Sequence, residues 1–224
     1  MNTAINENIF NRFPVLESER LICRSFNQSD AETLFKLRSD RDVLKYMDAD
    51  AHKSISDSDR MIESILKAFE EGSGINWVID LKETNTMIGY IGFWRLMKEN
   101  VRAEIGYALE PQFWGKGYMS EAIKIVLDFG FKQLRLHSVE ANINPENERS
   151  EKLLEKMGFR MEAHFRENYY FNGRFLEEYK IFLTKAPGCF FMIRNVSFSQ
   201  YLEASSGVSP LPTLRLASIL NCVS

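Results

Sequence analysis

Residues 104–122 read EIGYALEPQFWGKGYMSEA, and they give the strongest indication of the fold. The part up to Leu109 is β-branched and aromatic, as in a strand, and Pro111 ends the strand. Gly115 and Gly117 permit a tight loop, and a helix with apolar residues at i, i+3 and i+4 follows at once. Such a loop exposes backbone N–H groups at the positive end of a helix, which suits a pyrophosphate. By itself the glycine pair is also consistent with a plain strand-to-helix turn.

Two familiar nucleotide-binding motifs do not fit this loop. A P-loop needs Gly-Lys-Ser/Thr, and a Rossmann turn needs three glycines within a parallel βαβ unit. Neither pattern is present at residues 112–120.

Hydrophobic periodicity predicts the elements on both sides of this stretch. We expect strands at 20–26, 76–81, 87–96, 101–109, 137–143, 159–171 and 174–183, and helices from Ala31, over 43–47, after a Ser56/Asp59 capping box, and over 120–131 and 147–157. Asn172-Gly173 predicts a two-residue hairpin turn between the last two strands. Three aromatic strand residues, Trp94, Tyr107 and Tyr170, are predicted to pack in the core.

Composition and charge narrow the class of protein. The 224 residues include 28 Lys and Arg against 31 Asp and Glu, a net charge of −3, with 45% hydrophobic residues. This balance gives no electrostatic support for binding nucleic acid or a membrane surface, so neither partner is expected. Three scattered cysteines, no Cys/His cluster and no signal or membrane-spanning pattern favour a reducing, cytoplasmic location without a bound metal.

The composition changes near Lys185. Residues 186–224 have few charges and half of the six prolines, but also several aromatic residues. We therefore predict one compact domain over residues 1–185 and a C-terminal extension of unknown role over 186–224. The extension either docks on its own domain or a neighbouring subunit, or is non-native or disordered chain.

Five blocks of sequence occur in a characteristic order. They are ERLICR at 19–24, AEIGY at 103–107, Pro111 with WGKGYMSEA at 114–122, NPEN at 144–147 with Ser150, and LEKMGF at 154–159. Together they resemble the GNAT superfamily of acyl-CoA-dependent N-acetyltransferases, specifically its RimJ/RimL-like branch, over about Val15 to Lys185. The resemblance implies an α+β GNAT fold, a mixed, mostly antiparallel sheet with a splayed central strand pair, flanked by helices.

The resemblance also implies acetyl-CoA as co-substrate. The family's Q/R-x-x-G-x-G/A pattern fits at Gln112 to Gly117, but we place it on Trp114 to Met119 because the helix then follows immediately. Trp114 and Met119 depart from the pattern, so backbone N–H groups should dominate phosphate binding. The implied cofactor-binding residues are Ala108, Leu109, Trp114, Gly115, Lys116, Gly117, Tyr118, Met119 and Asn147.

The same resemblance suggests catalytic roles. The Leu109 N–H would polarise the thioester carbonyl, and Ser150 would protonate the leaving thiolate because Leu154 stands where many relatives have a tyrosine. Ser150 could instead be a helix cap, with water as the acid. Glu104 would remove the amine proton through water, or it pairs with Arg102 or Arg95.

These expectations lead to one main function and two rivals. The main one is direct transfer of acetyl from acetyl-CoA to a primary amine, either a protein N-terminus or a small molecule. Asn147 would cap its helix and bind the pantetheine amide, and residues 43–71 and 169–175 would select the acceptor. The rivals are a non-catalytic acyl-CoA sensor and an unrelated nucleotide-binding enzyme. A homodimer is a further expectation.

Overall fold

The computed structural model describes residues 4–184, and within them the chain forms eight strands and five α-helices. The predicted extension at 186–224 and its boundary lie outside the described residues. The strands are β1 (Leu16–Glu17), β2 (Leu21–Arg24), β3 (Ile75–Leu81), β4 (Thr86–Met97), β5 (Arg102–Leu109), β6 (Ser138–Ile143), β7 (Arg160–Phe171) and β8 (Arg174–Thr184). The helices are α1 (Ala31–Ser39), α2 (Arg41–Leu44), α3 (Ile55–Glu70), α4 (Tyr118–Lys132) and α5 (Glu148–Lys156).

The eight strands of the described residues form one sheet in the order β1-β2-β3-β4-β5-β6-β8-β7. Neighbouring strands are antiparallel except β5 and β6, which run parallel. These two pair only over Arg102–Glu104 and Ser138–Glu140, and beyond these residues no pairing joins them. The predicted mixed, mostly antiparallel sheet with a splayed central pair is therefore confirmed.

Helices cover both faces of the sheet. Along β3, Trp77 and Ile79 pack in the cluster that contains the apolar side of α4, whereas Val78 packs in the cluster under α1, α2 and α3. This alternation follows from the two-residue period of a strand. The apolar positions of α4 recur at helical spacing, which is why that helix lies flat on the sheet.

The helix α3 begins two residues earlier than the sequence suggested. Its capping box is formed by Ser54 and Asp57, not by Ser56 and Asp59. Both pairs have the three-residue spacing of a capping box, so the pattern alone did not choose between them. Asp59 instead accepts a hydrogen bond from Gln28.

Two of the three aromatic predictions are wrong. Trp94 is 51% exposed and Tyr170 is 64% exposed. Trp94 lies at a register shift in β4 that turns it out of the core, where it packs on Arg95. Tyr170 lies at the turn end of the β7–β8 hairpin and contacts Phe175 across it. The hairpin turn itself is confirmed: Asn172-Gly173 joins β7 and β8 with positive φ at both residues.

Candidate active site

A cleft of about 1800 Å³ opens where β5 and β6 separate. We call one wall the loop side; it consists of residues 105–119 and 141–156. We call the opposite wall the helix side; it consists of residues 38–68 together with Tyr90. Tyr169 of the β7–β8 hairpin also lines the cleft. The two segments predicted to select the acceptor thus both reach it, although their role in selection stays a prediction.

The backbone N–H and C=O groups of β5 point alternately toward β4 and toward the gap between β5 and β6. The Glu110 N–H donates to the Ile88 carbonyl of the β4 side. Because bonded and non-bonded pairs alternate along an antiparallel ladder, Ala108 directs its backbone groups to β4, and Tyr107 and Leu109 direct theirs away from it. The Leu109 N–H therefore faces the gap that the splay opens, whereas Ala108 reaches the cleft by its side chain.

Trp114 fixes the end of β5. Its indole Nε1–H donates to the Leu109 carbonyl at 2.7 Å. On the other side of the ring, the Arg149 guanidinium of α5 lies 5.4 Å from the ring centroid, which is a cation–π contact across the mouth of the cleft. The tryptophan that departs from the family pattern thus holds the Leu109 carbonyl, in the peptide group next to the one that carries the Leu109 N–H.

The loop before α4 has the geometry of an anion site. Gly115 and Gly117 have φ of +73° and +82°, a region that side chains other than glycine rarely adopt. No side chain caps the N-terminus of α4, so its first N–H groups are left for a ligand. The Met119 side chain is buried in the core, which directs its backbone, rather than its side chain, to the loop surface. Lys116 and Tyr118 flank the same turn.

Arg20, next to β2, braces this loop from outside. Its guanidinium makes an ion pair with Glu121 at 2.6 Å and donates to the Lys116 carbonyl at 3.2 Å. The Arg20 backbone N–H also donates to Glu121, and the guanidinium covers the Tyr118 ring at 4.4 Å. With the Lys116 carbonyl engaged on the outer side, the N–H groups of the turn remain available on the inner side.

At the start of α5, Asn147 and Ser150 are directly linked. The Asn147 side chain accepts a hydrogen bond from the Ser150 N–H, so Asn147 caps the helix as predicted. The Ser150 hydroxyl lies 2.7 Å from the hydroxyl of Tyr107 on β5, across the splay. Burial raises the pKa of Tyr107, and the Ser150 hydrogen bond opposes that rise. Two hydroxyl groups therefore meet where the two splayed strands face each other, with Leu154 fully buried one turn later.

Glu104 lies at the closed end of the splay and is only 4% exposed. Its Oε1 accepts from the Asn142 amide at 2.7 Å, and its Oε2 lies 2.7 Å from an Arg95 nitrogen. The Arg95 contact is an ion pair without hydrogen-bond alignment, since Oε2 accepts no hydrogen bond. Burial raises the pKa of Glu104 above its ordinary value of 4.5; Arg95 opposes the rise and Glu140 adds to it. Of the two predicted ionic partners, Arg95 is the one that Glu104 contacts.

Neither a cysteine nucleophile nor a metal cluster is found near the cleft in residues 4–184. Cys23 is buried in the core, and burial, with the nearby Asp80 and Glu121 charges, raises the pKa of its thiol to about 12. A thiol in that environment does not form the thiolate that nucleophilic catalysis requires. In this part of the chain no three His, Cys, Asp or Glu side chains are grouped to hold a metal ion.

Comparison with known proteins identifies the family. A family model for the acetyltransferase (GNAT) domain matches residues 20–160. The chain is 39% identical over 161 residues to the uncharacterized N-acetyltransferase YoaA of Bacillus subtilis (strain 168), covering 72% of this chain and 91% of that protein. It is 23% identical over 169 residues to the spermidine N(1)-acetyltransferase of Vibrio cholerae serotype O1, covering 75% and 95%. A crystal structure of a GNAT-family acetyltransferase from Bacillus anthracis matches with a TM-score of 0.69 and 30% identity, covering 76% and 98%.

The chain therefore belongs to the GNAT acetyltransferase family. The α+β GNAT fold and the enzyme class, N-acetyltransferase, which the five sequence blocks implied, are both confirmed.

Sequence reasoning missed three residues of the site. Tyr107 was assigned to the core, although it precedes Ala108 in the strand that was expected to bind the cofactor. Arg20 lay inside a recognised block but had no role. Arg38 gave no signal, because the contact that places it in the cleft beside Tyr90 joins residues 52 positions apart.

Proposed function

We propose that the protein transfers acetyl from acetyl-CoA directly to a primary amine, with no covalent enzyme intermediate. The observation that carries this proposal is the juxtaposition of the β5–β6 splay with the uncapped N-terminus of α4. A splay supplies unpaired backbone groups for an extended, amide-containing arm, and an uncapped helix N-terminus supplies donors for a pyrophosphate. Both lie on the loop side of one cleft.

The loop side offers groups that suit the chemistry of acetyl-CoA. The N–H groups following Gly115 and Gly117 would hold the pyrophosphate, with Trp114, Lys116, Tyr118 and Met119 forming the turn. An added Cβ at Gly115 would meet nothing within 4 Å, so this side of the turn is open to a ligand. Bound there, acetyl-CoA supplies the thioester acyl group. Asn147 would contribute to the pantetheine site through its Nδ2, for which no acceptor is found in the described residues.

The Leu109 N–H would stabilise the developing oxyanion. It faces the gap, and Trp114 holds the neighbouring Leu109 carbonyl, which restricts movement of the strand end that carries the donor. A preorganised donor of this kind is worth about 3 kcal/mol of transition-state stabilisation.

Glu104 would act as the general base through water. Its Oε2 and the Asn142 Oδ1 are both buried acceptors without a hydrogen-bond partner, an arrangement that an ordered water molecule satisfies. The raised pKa of Glu104 makes it a stronger base than an ordinary carboxylate. The amine proton would pass to Glu104 as the amine nitrogen bonds to the acyl carbon.

Ser150 and Tyr107 would supply the proton to the departing sulfur. As the carbon–sulfur bond breaks, the Ser150 hydroxyl donates to the thiolate, the Tyr107 hydroxyl replaces that proton through the 2.7 Å hydrogen bond, and water in the cleft returns a proton to Tyr107. Since a free thiol has a pKa of about 8.5, the thiolate needs only modest help, and the pair keeps a proton ready at neutral pH.

The test is release of free thiol from acetyl-CoA in the presence of primary amines. We expect turnover with at least one α-amine, and a fall in kcat of about 10- to 100-fold in Ser150→Ala and Tyr107→Phe with acetyl-CoA affinity unchanged. As a matched control, Ser25→Ala removes a hydroxyl that donates to the Phe26 carbonyl and does not line the cleft, and it should leave kcat unaltered. A protein that binds acetyl-CoA but releases no thiol with any amine would be the sensor instead.

Three finer expectations remain part of this proposal. They are membership of the RimJ/RimL-like branch, a cytoplasmic location and a homodimer. None of the helices in residues 4–184 combines the length and apolar character needed to cross a membrane.

A further inference from the structure

Arg38 of α1 reaches the cleft without a carboxylate partner in the described residues. Its Nη1 lies 3.2 Å from the Met47 sulfur and 3.5 Å from the Tyr90 hydroxyl. Its Nε is buried and has no hydrogen-bond partner. Within residues 4–184, no Asp or Glu oxygen lies within 4.0 Å of this guanidinium. The side chain thus has most of its donors unused.

Another arginine of the same fold shows the usual alternative. The guanidinium of Arg24, also partly buried, makes two hydrogen bonds with Asp30 and two with Asp80. A guanidinium removed from water is normally paired in this way, because its planar donors match a carboxylate. The contrast indicates that Arg38 is paired by something that enters the cleft.

The position of Arg38 relates it to the reaction. Tyr90, whose hydroxyl it approaches, is the cross-strand partner of Ala108, and Ala108 precedes Leu109. An anion bound by Arg38 and the Tyr90 hydroxyl would therefore lie on the helix side, opposite the proposed oxyanion donor. A molecule small enough to be a metabolite could place its amine at the acyl carbon and its anion at Arg38.

The remaining groups of the helix side define what such a molecule looks like. Met47, Met61 and Ile65 give the wall an apolar character around Arg38. Of the five acidic residues that line the cleft, Asp48 accepts from the Tyr169 hydroxyl, Glu178 from the Asn168 amide, and Glu148 pairs with Lys152, while Asp42 and Glu146 are exposed to solvent. A polycation would meet an unpaired positive charge here, and a carboxylate would neutralise it.

We infer that the acceptor carries a carboxylate, which Arg38 and the Tyr90 hydroxyl bind. Its apolar part packs on Met47, Met61 and Ile65. This inference rests on the proposed function and narrows its acceptor to amino acids or short peptides with a free carboxyl group. The same charge disfavours a polyamine nitrogen at this position on the helix side.

The first experiment compares acceptors that differ only at the carboxyl group. Leucine is compared with leucinamide, and glycyl-leucine with its amide, for the wild type and for Arg38→Gln; spermidine serves as the cationic acceptor. The α-amines of an acid and its amide differ in pKa. This difference cancels because each acceptor is compared between the variant and the wild type. The Gln variant should raise KM for the carboxylates about 10- to 100-fold, the loss expected for a charge-assisted pair, and change KM for the amides less than about threefold. Comparing leucine with glycyl-leucine shows whether the carboxylate belongs to a free amino acid or to a short peptide.

The second experiment measures binding without turnover. N-acetylleucine and N-acetylleucinamide, the corresponding products, are titrated into each protein by calorimetry. We expect only the carboxylate to bind the wild type measurably, and Arg38→Gln to lose that binding. Arg41→Gln on α2, which changes an exposed arginine that does not line the cleft, is the matched control and should behave as the wild type.

The outcomes separate the two proposals. If amines are acetylated but the carboxylate and Arg38→Gln have no effect, or if spermidine is the better acceptor, the Arg38 inference is wrong and the proposed function stands. If N-acetylleucine binds through Arg38 but no amine is acetylated, the carboxylate site stands and the proposed function fails.

Discussion

The two walls of the cleft use different parts of the polypeptide. The loop side presents backbone groups: the Leu109 N–H in the splay and the first N–H groups of α4. The helix side presents side chains, among them Arg38, Met61 and Tyr90. A backbone site depends on φ angles and strand pairing, so it tolerates unusual side chains such as Trp114 and Met119. A side-chain site changes whenever one residue changes.

This difference explains why one wall was predictable as a motif and the other was not. A backbone site must be encoded by the residues that bend the chain, and glycines at fixed spacing are visible in a sequence. A side-chain site is assembled from separate helices and strands, so it has no local pattern.

Replacing the base should have the largest effect. Glu104→Gln should lower kcat/KM about 100-fold at neutral pH, as expected for loss of a general base, with little change in acetyl-CoA affinity. The base must be ionised, and its pKa is raised above 4.5, so wild-type activity should fall on acidification through a pH above that value. The Gln variant should lack this fall, and its deficit should shrink as pH rises and the amine loses its own proton. A pH–rate profile measures both.

Glu140→Gln is the matched control for the base. Glu140 is a buried carboxylate facing Glu104 on β6, and it pairs with Arg95 and Arg102. Its removal should keep the fall on acidification and move it to lower pH, because the Glu140 charge helps to raise the Glu104 pKa. If the Glu104→Gln deficit were the same at every pH, Glu104 would be a structural ion-pair partner and not the base.

Straining the loop should affect the loop side alone. Gly117→Val places a β-branched side chain at φ +82°, a backbone conformation that valine rarely adopts. If the backbone relaxes to a more favourable φ, the N–H groups of the turn move away from the pyrophosphate site. We expect the Kd of acetyl-CoA to rise about 30-fold, equivalent to about 2 kcal/mol of strain. Gly173→Val introduces the same strain at φ +85° in the hairpin turn and should not change this Kd, measured by calorimetry. An unchanged Kd in Gly117→Val would remove the phosphate-loop assignment.

Removing the brace should have a smaller effect on the same wall. Arg20→Ala frees the Lys116 carbonyl and leaves Glu121 without its partner, so the turn should become less well ordered. We expect a rise of about tenfold in the Kd of acetyl-CoA, the value of one charge-assisted hydrogen bond. Lys82→Ala, which removes an ion pair with Glu17 outside the cleft, should leave the Kd unchanged. Equal behaviour of the two variants would mean that the brace has no part in binding.

Trimming the apolar wall should affect only the acceptor. Met61→Ala removes part of a half-buried side chain that lines the helix side. The KM of the best acceptor should rise about threefold, as loss of partial apolar contact predicts, while the Kd of acetyl-CoA stays constant. Steady-state kinetics together with calorimetry would detect the opposite result, a change in Kd, which would show that the two walls are coupled.

The fold could be predicted wherever a local rule determined it. The period of apolar residues along α4 and the Asn172-Gly173 turn specify their elements without reference to the rest of the chain. The start of α3 was wrong because Ser54 and Ser56 both begin a capping-box pattern, and only the surroundings choose between them. The exposure of Trp94 depends on a shift of register against β5, which no property of β4 alone reveals.

The parts of the site that are formed by backbone groups could be predicted from the sequence. The loop at Gly115 and Gly117 has the shape that the glycines implied. The contact of Tyr107 with Ser150 joins residues 43 positions apart across the splay, and it depends on how far two strands separate. Side-chain distances of this kind follow from the packed tertiary structure, and a single sequence does not carry them.

The short junction between β5 and β6 also divides the sheet in its stability. Three residue pairs connect these strands, whereas eight connect β4 with β5 and six connect β6 with β8. Among the described strands, only the two-residue edge strand β1 pairs with its neighbour at fewer positions, so the β5–β6 junction is the weak line inside the sheet. Strands β6 to β8 should therefore exchange their amide protons as a unit separate from β1 to β5. Helix α4, whose buried face contributes to the core shared by both groups, is then the element that keeps them together. A ligand lying in the gap would join the two units, and slower amide exchange in both groups of strands would be the sign of its binding.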